Sequence, residues 1–408
     1  MKEGLNPQGL SERINRLEES ATIVMAVKAR ELQDEGHHVI KLNLGEPDFS
    51  TPKHIQDAAV EAIQSGQYFK YPPVPGYPEL RQGIADKLKR DNHLSYDPAQ
   101  IVVSTGAKQS IANALLSIIN KDDEVIIFTP YWVTYIEQVK LAEGTPVLVE
   151  GTLDNDFKVT AEQLANAITP KTKAILYSSP CNPTGAVYNA AELQALAEVL
   201  KEREDIYVIS DEIYEFINFE GAHHSMAAID YMKERTIIIN GFSKGYAMTG
   251  WRLGYMAAPM HIAKACNKMQ GQFTSGTCSI AQRAGIAAIN GPMDSALTMK
   301  EAYQRRRGLV KERLDQIEGV KTNLPTGAFY IFPDISAYFG TSYKDYTINN
   351  SDDLAMYFLQ EVHVSTVAGS AFGSPNCIRI SFAASDEELR EACDRIEKAL
   401  SLLEKRNQ

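Results

Sequence analysis

The run Thr236-Ile237-Ile238-Ile239-Asn240, followed by Gly241-Phe242-Ser243-Lys244-Gly245-Tyr246-Ala247-Met248-Thr249-Gly250-Trp251-Arg252-Leu253-Gly254, decides how this chain is read. Its first five residues form a short apolar run of the kind that makes a buried strand. Lys244 comes just beyond the strand end. A lysine at a buried strand end is costly unless it is neutralised, paired or used covalently. Arg252, eight residues on, suits an anion clamp, because a guanidinium meets phosphate or carboxylate with two parallel hydrogen bonds.

Working outward, similar runs recur at Ile101-Ser104, Glu124-Phe128, Pro146-Val149, Ala174-Tyr177, Tyr207-Ser210 and Arg252-Ala257. Between them lie helix candidates near Lys108-Asn120, Val133-Ala142 and Ala190-Arg203. The last has Asn189 as a cap, Glu192 in its first turn, and Leu193, Leu196, Ala197 and Leu200 on one face. Apolar strands alternating with amphipathic helices predict an α/β fold, a mostly parallel seven-stranded sheet sandwiched by helices. The ends differ. Leu10 to Asp34 reads as helix, Val39-Leu44 as extended, and Tyr338 to Ser351 as an irregular polar stretch. A capping box at Ser385-Asp386-Glu387-Glu388 opens a final helix through Leu389, Ala392, Ile396, Ala399 and Leu403. The expected division is 1–50 as N-terminal arm and part of a small domain, 51–295 as a large domain, and 296–408 as a small C-terminal α+β domain.

Ligands of an open parallel sheet bind beyond the carboxyl ends of its strands, so the residues just after each strand are the candidates for chemistry. Thr105-Gly106-Ala107-Lys108 leads into a helix and offers backbone N–H groups to an anion, or is simply a strand-helix turn. It has no P-loop spacing, and no GxGxxG comes after any strand. Trp132 in Thr129-Pro130-Tyr131-Trp132 packs in the core or stacks on a flat ligand. Cys181-Asn182-Pro183-Thr184-Gly185 is a tight turn that would present Asn182 in a constrained pose. Asp211, with Glu212 and Tyr214 behind it, needs a partner or a cation at its buried strand end. A cradle for phosphate, an aromatic, a rigid amide, a buried acid and a buried lysine together describe pyridoxal phosphate, whose aldehyde joins a lysine and whose pyridinium pairs with a carboxylate.

Composition narrows the classes. The 408 residues suggest about two or three domains at the usual ~150 per domain. Lys and Arg number 41 against 52 Asp and Glu, so 41 − 52 gives −11, and no basic domain offsets it. That argues against binding nucleic acid through phosphates or a membrane through anionic lipid. Five scattered cysteines without a CxxC support neither a disulfide framework nor a zinc ribbon. Met1 to Ser11 lacks an apolar core and no run of about 18 apolar residues occurs, so a cytoplasmic protein is expected. His37-His38 and His223-His224 read as solvated pairs, with no metal site expected.

The segment Gly241 to Gly254 resembles the cofactor-lysine signature of the class I/II aminotransferases, the fold type I pyridoxal-phosphate enzymes of the aspartate aminotransferase superfamily. Gly45-Glu46-Pro47-Asp48-Phe49, Cys181 to Gly185 and Ile378-Arg379-Ile380-Ser381-Phe382 carry the same resemblance, which runs from Leu10 to the last helix. It implies that Lys244 holds the cofactor aldehyde and shuttles the proton, and that Asp211 pairs with the pyridine nitrogen. Asn182 and Tyr214 would hydrogen-bond the phenolic oxygen, and Trp132 would stack on the ring. The amides of Ala107 and Lys108, with Arg252, would hold the phosphate. Arg379 would grip the substrate α-carboxylate, with the backbone of Gly45 closing over it. Tyr71 is similar to the tyrosine that reaches the neighbouring subunit's phosphate, which implies a homodimer with shared active sites.

The implied reaction is transamination between an L-amino acid and a 2-oxo acid, with aspartate or a related donor and 2-oxoglutarate as acceptor. The alternatives are another fold type I enzyme, such as a C–S β-lyase, and an aminotransferase for aromatic or neutral amino acids. Two departures stand out. Gly241 replaces a serine that many relatives place three residues before the lysine as a phosphate ligand, so that one phosphate contact is missing or comes from Ser243. Glu18-Glu19 stands before Ser20-Ala21-Thr22 where relatives for dicarboxylic or prephenate-like substrates often carry Lys-Pro.

Overall fold

The computed structural model describes residues 9–405; the first eight residues of the expected N-terminal arm lie outside them. In chain order the elements begin with α1 (Glu12–Asn15), α2 (Ala21–Asp34), β1 (Ile40–Lys41), α3 (Lys53–Gln64) and α4 (Pro78–Asn92). The central part alternates β2 (Ile101–Ser104), α5 (Ala107–Ile118), β3 (Glu124–Thr129), α6 (Thr134–Leu141), β4 (Thr145–Glu150), α7 (Ala161–Ala167), β5 (Thr172–Ser178), α8 (Ala190–Leu200), β6 (Tyr207–Asp211), β7 (Thr236–Gly241) and β8 (Gly254–Ala257). Then come α9 (Met260–Phe273), α10 (Ser279–Asn290), the long α11 (Asp294–Asp315), β9 (Tyr330–Ile331), β10 (Thr341–Tyr343), β11 (Tyr346–Ile348) and α12 (Ser351–Val362). The chain closes with β12 (Val364–Ser365), β13 (Val367–Ala368), β14 (Ile378–Ser381), α13 (Asp386–Ser401) and β15 (Glu404–Lys405).

Seven strands form one sheet in the order β2-β8-β7-β6-β5-β3-β4. It is mostly parallel, as expected, with β8 antiparallel to both β2 and β7. The central strands are largely apolar because both of their faces are covered, whereas the edge strand β4 leaves Leu148 47% exposed. Val125, Ile127, Leu176, Ile209 and Ile239 point to one face under α5, α6 and α9. Their neighbours point the other way: Ile126, Ile175 and Val208 meet α7 and α8, while Val103, Ile238 and Tyr255 meet α4 and α10.

A second core gathers α11, α12 and α13 around β9 and β14, through Tyr303, Tyr357, Phe358, Ile380 and Leu389. The N-terminal part joins it: Met25 and Ala29 of α2 pack on Ala355 and Leu359 of α12, and β1 pairs in parallel with β12. Three expectations need correction. Leu10 to Asp34 is two helices, interrupted where Glu18 N–H donates to a Glu137 carboxylate oxygen of α6 at 2.9 Å. The strand expected over Arg252-Ala257 starts only at Gly254, because Arg252 adopts a left-handed backbone (φ 54°). Tyr338 to Ser351 is not irregular: β10 and β11 form a hairpin turning at Lys344, whose Tyr346 packs edge-on against Tyr357 at 5.1 Å.

Candidate active site

Strands β2, β3, β5, β6 and β7 end on one edge of the sheet, at Ser104, Thr129, Ser178, Asp211 and Gly241. Gly254 lies on the same edge because β8 runs the other way and pairs with both Ser104 and Gly241. The residues just past these ends are thereby delivered to one cleft.

Lys244 is partly buried, and its ammonium donates to the carbonyl oxygen of Gly45. Burial lowers its pKa to about 8, Glu46 opposes that, and the positive charges of Arg379 and Arg252 add to it. No carboxylate lies within ion-pair distance of it among the described residues. Arg379 is 2% exposed. Its Nη1 donates to Asn182 Oδ1 at 2.9 Å and its Nη2 to the Asn43 carbonyl at 2.6 Å, while its Nε is buried without a partner. The guanidinium lies 4.6 Å from the Tyr330 ring centroid and 5.0 Å from that of Phe372. It too has no carboxylate partner among the described residues.

Asp211 terminates β6 and is 4% exposed. Burial raises its pKa to about 6, against hydrogen bonds from the Tyr135 hydroxyl at 2.7 Å and the Ile213 N–H at 3.2 Å. Tyr214 lies under Lys244, whose Nζ is 5.7 Å from its ring centroid, and its hydroxyl is 2.8 Å from that of Tyr330. The turn carrying Asn182 is held by Gly185 N–H to the Cys181 carbonyl and Cys181 N–H to the Ala186 carbonyl, both 2.9 Å, and Asn182-Pro183 is a cis peptide bond.

The α5 N-terminus is shaped to receive an anion. Gly106, at φ 81°, caps it, and a Cβ there would strike the Arg252 guanidinium, with Cζ at 3.0 Å and Nη1 at 3.3 Å besides Nη2. The first amides of a helix, here those of Ala107 and Lys108, have no intrahelical acceptor. Lys108 places its ammonium 4.9 Å from the Trp132 ring centroid, and burial, then Arg252, lowers its pKa. Gly45 is also a close approach, since a Cβ would lie 2.6 Å from the Tyr330 hydroxyl. At Gly241 a Cβ would meet Gly254 Cα at 2.8 Å and the Leu253 carbonyl at 3.0 Å, so no serine fits without a backbone shift. Ser243 is buried beside it.

Asn182, Tyr214, Lys244 and Arg379 are joined by these contacts, directly or through Tyr330 and the 43–45 loop, and Trp132, Lys108 and Arg252 meet at the α5 end; Asp211 reaches Lys244 through its charge and is held by Tyr135. Tyr71 stands apart, 94% exposed. Sequence reasoning passed over Tyr135, Tyr330 and Asn43, although Tyr135 stands three residues after Trp132 at the entry to α6, a spacing that could have flagged Tyr135. His223 is also corrected. It is no solvated histidine: its imidazole Nε2 meets Glu212 at 2.9 Å with 7% of the side chain exposed. Glu212, Glu215 and His223 bring ligand atoms within 4.8 Å of one another, but the Lys87 ammonium already supplies Glu215 with a cation.

A covered parallel sheet with a lysine, a desolvated aspartate and an unpaired arginine converging at its strand ends defines an α/β enzyme of the lysine-dependent, anion-binding kind. The chain belongs to the family "Aminotransferase class I and II", whose model matches residues 37–396. It is 47% identical over 392 residues to the aspartate/prephenate aminotransferase of Cereibacter sphaeroides, covering 95% of this chain and 98% of the relative. The aspartate aminotransferase of Bacillus subtilis matches with the same identity, length and coverage. Among solved structures, the aspartate aminotransferase of Rhizobium meliloti superposes with a TM-score of 0.93 at 41% identity, over 97% of this chain and 99% of that one. That of Thermus thermophilus, solved with maleate, gives 0.90 at 39%, over 96% and 100%. This chain is a pyridoxal-phosphate-dependent aminotransferase acting on amino acids and 2-oxo acids.

Proposed function

We propose that the chain exchanges an amino group between aspartate and 2-oxoglutarate, using pyridoxal 5'-phosphate joined to Lys244. One observation carries the reading: Lys244 and Arg379, two cations of one cleft, rest on carbonyls of one loop, Gly45 and Asn43, with no carboxylate partner among the described residues. Unpaired buried charge is expensive, so both await groups from outside the chain. The site fits the cofactor. Phosphate suits the α5 amides with Arg252 where Gly106 leaves room, a cationic ring nitrogen suits Asp211, and an aldehyde suits Lys244. The names of the relatives, and the dicarboxylate maleate in the Thermus structure, support a dicarboxylic donor.

The cofactor, when bound, supplies a sink for the electron pair left at the substrate α-carbon. The chain supplies the rest. Arg379 grips the α-carboxylate with two nitrogens, a geometry lysine cannot reproduce. Lys244, with its pKa drawn down to about 8, would serve as the amine that takes the α-proton and returns it at the carbon that was the cofactor's aldehyde, across the intervening nitrogen. Asp211 remains ionised beside a protonated ring nitrogen, because a neighbouring cation lowers the pKa that burial has raised. Asn182 and Tyr214 direct hydrogen bonds to the phenolic oxygen, Trp132 covers the ring, and Gly45 closes over the substrate. Ser243 stands in for the serine that Gly241 cannot be. Tyr71, exposed on this chain, reaches the phosphate of a second copy in a homodimer with shared active sites. The arm 1–50 and residues 296–408 form a small domain over the cofactor domain 51–295, in a cytoplasmic enzyme.

The test is a half-reaction screen. Holoenzyme is mixed with single amino acids, monitoring loss of the bound aldehyde's absorbance and release of the 2-oxo acid. Aspartate should convert fastest, with 2-oxoglutarate regenerating the starting form. A faster aromatic or neutral amino acid overturns the donor. Release of pyruvate and ammonia from a cysteine conjugate would turn the assignment to β-elimination.

A further inference from the structure

Tyr135 lies on the first turn of α6 and is 1% exposed. We infer that Tyr135 is a positioning residue of the reaction, its hydroxyl fixing the plane of the Asp211 carboxylate and keeping that group ionised toward the cofactor's ring nitrogen. The inference rests on the proposed role of Asp211. The Tyr135 hydroxyl is 2.7 Å from Asp211 Oδ2, the shorter of the carboxylate's two hydrogen bonds, the other being from Ile213 N–H at 3.2 Å. The backbone on both sides is fixed. Asp211 pairs with Ser178 and Ile239 in the sheet, and Tyr135 N–H donates to the Trp132 carbonyl at 2.9 Å.

That turn aims two rings at once, Trp132 and Tyr135 meeting edge-to-face at 5.6 Å. The chemistry runs one way. Burial, and next the charge of Asp211, hold the Tyr135 phenol well above its ordinary pKa, so it only donates to the carboxylate. A donor to the charged form opposes the burial that pushes Asp211 up. The other titratable groups facing Asp211 are Glu212, Lys244, Tyr214 and Cys181; of these only Lys244 brings positive charge, and the proposed chemistry removes it. Tyr135 is thus the side-chain donor that stays throughout, beside the backbone N–H of Ile213.

Holoenzymes of wild type, Tyr135→Phe and Asp211→Ala are compared for kcat, KM, pH profile and the pH titration of the bound cofactor's visible spectrum. Losing a hydrogen bond to a charged group should lower kcat of Tyr135→Phe about tenfold or more with KM nearly unchanged. The acid limb and the spectral midpoint should both move to higher pH. Fluorotyrosine at position 135, a stronger donor of the same shape, should move both to lower pH. If kcat falls but neither midpoint moves, Tyr135 only supports the fold and the inference is overturned. Wild-type rates in Asp211→Ala would remove the pyridinium role, and this inference with it. Collapse of Asp211→Ala beside an unchanged Tyr135→Phe removes the inference alone.

Discussion

Gly106→Ala separates the proposed phosphate cradle from everything else in the cleft. The backbone there, φ 81° and ψ 158°, is one that only glycine adopts freely, so alanine costs about 1–3 kcal/mol of folding stability. A second effect is confined to the anion. The new methyl would occupy the place of the Arg252 guanidinium, whose Cζ lies 3.0 Å away, and Arg252 is itself held by a 2.9 Å bond from Nη1 to the Thr249 carbonyl. Displacing it removes one charge-assisted contact to phosphate, worth about 1.5–3 kcal/mol. At 1.4 kcal/mol per decade that is roughly a tenfold to hundredfold weaker Kd. Equilibrium dialysis with pyridoxal phosphate and with pyridoxal reads the difference, and urea unfolding of the cofactor-free protein reads the backbone strain. The phosphorylated ligand should lose affinity and pyridoxal almost none. Equal losses for the two ligands, or lost stability with an unchanged Kd for pyridoxal phosphate, would refute the cradle.

Lys244→Ala should have no measurable turnover, and borohydride should fix no cofactor to the chain; transamination by that variant would sink the covalent role. Arg379→Lys should lower kcat/KM for the amino acid by about two orders of magnitude, since one point charge replaces a bidentate fork; an unchanged kcat/KM would deny Arg379 the carboxylate. Asp386 is held at about 2, chiefly by its hydrogen bonds from Arg305, with burial opposing and Arg306 assisting. A depressed carboxylate stabilises the fold above its unfolded pKa of about 3.9 and stops doing so as pH falls through about 2. Asp386→Asn should therefore cost about 1 kcal/mol at neutral pH, allowing for solvent screening, and only a small part of that near pH 2. Urea midpoints that differ equally at pH 7 and pH 2 would contradict this.

The sheet was legible because strands covered on both faces are written as largely apolar runs, and each expected run overlaps a strand, although the one at Arg252-Ala257 begins only at Gly254. Helices α9 and α10 were harder to see. α10 packs through Ala281, Ala284, Gly285 and Ala288, small residues that carry little periodic signal. The hairpin β10–β11 depends on tyrosines meeting Tyr357 of α12, a contact outside the segment itself. In the site, Lys244, Asp211 and Asn182 were legible because each sits at or just past a strand whose end is predictable. Tyr330 meets Tyr214 from 116 residues away, and Asn43 meets Arg379 from 336. Partnerships at that range leave no local pattern. Glu212 and His223 were opaque for a related reason: they meet each other, and Lys87 meets Glu215 beside them, only in the folded chain.

Residues 43–49 tie the two halves of the proposed chemistry into one mechanical unit. The Asn43 carbonyl holds Arg379 and the Gly45 carbonyl receives Lys244, so substrate anchoring and proton transfer are set by two peptide groups separated by a single residue. That loop is fastened in turn by Arg306 of α11, 7% exposed, which makes two contacts of 2.9 Å to the Asp48 carboxylate and a third, of 3.1 Å, to Asp386 at the start of α13. Phe49 adds an edge contact to Tyr303, 5.7 Å between centroids. Just beyond it, the Thr51 hydroxyl donates to the Ala247 carbonyl at 2.6 Å and accepts from Trp251 Nε1 at 3.0 Å, so the same segment is fastened to the sheet side as well. The loop thus stands between the second core and the strand ends, with one carbonyl on Arg379 and the other on Lys244. The net charge of −11 has no part in this. Global charge acts on solubility and encounter, whereas Lys108, Lys244, Arg252 and Arg379 make the cleft locally positive for substrates and a cofactor that are anions.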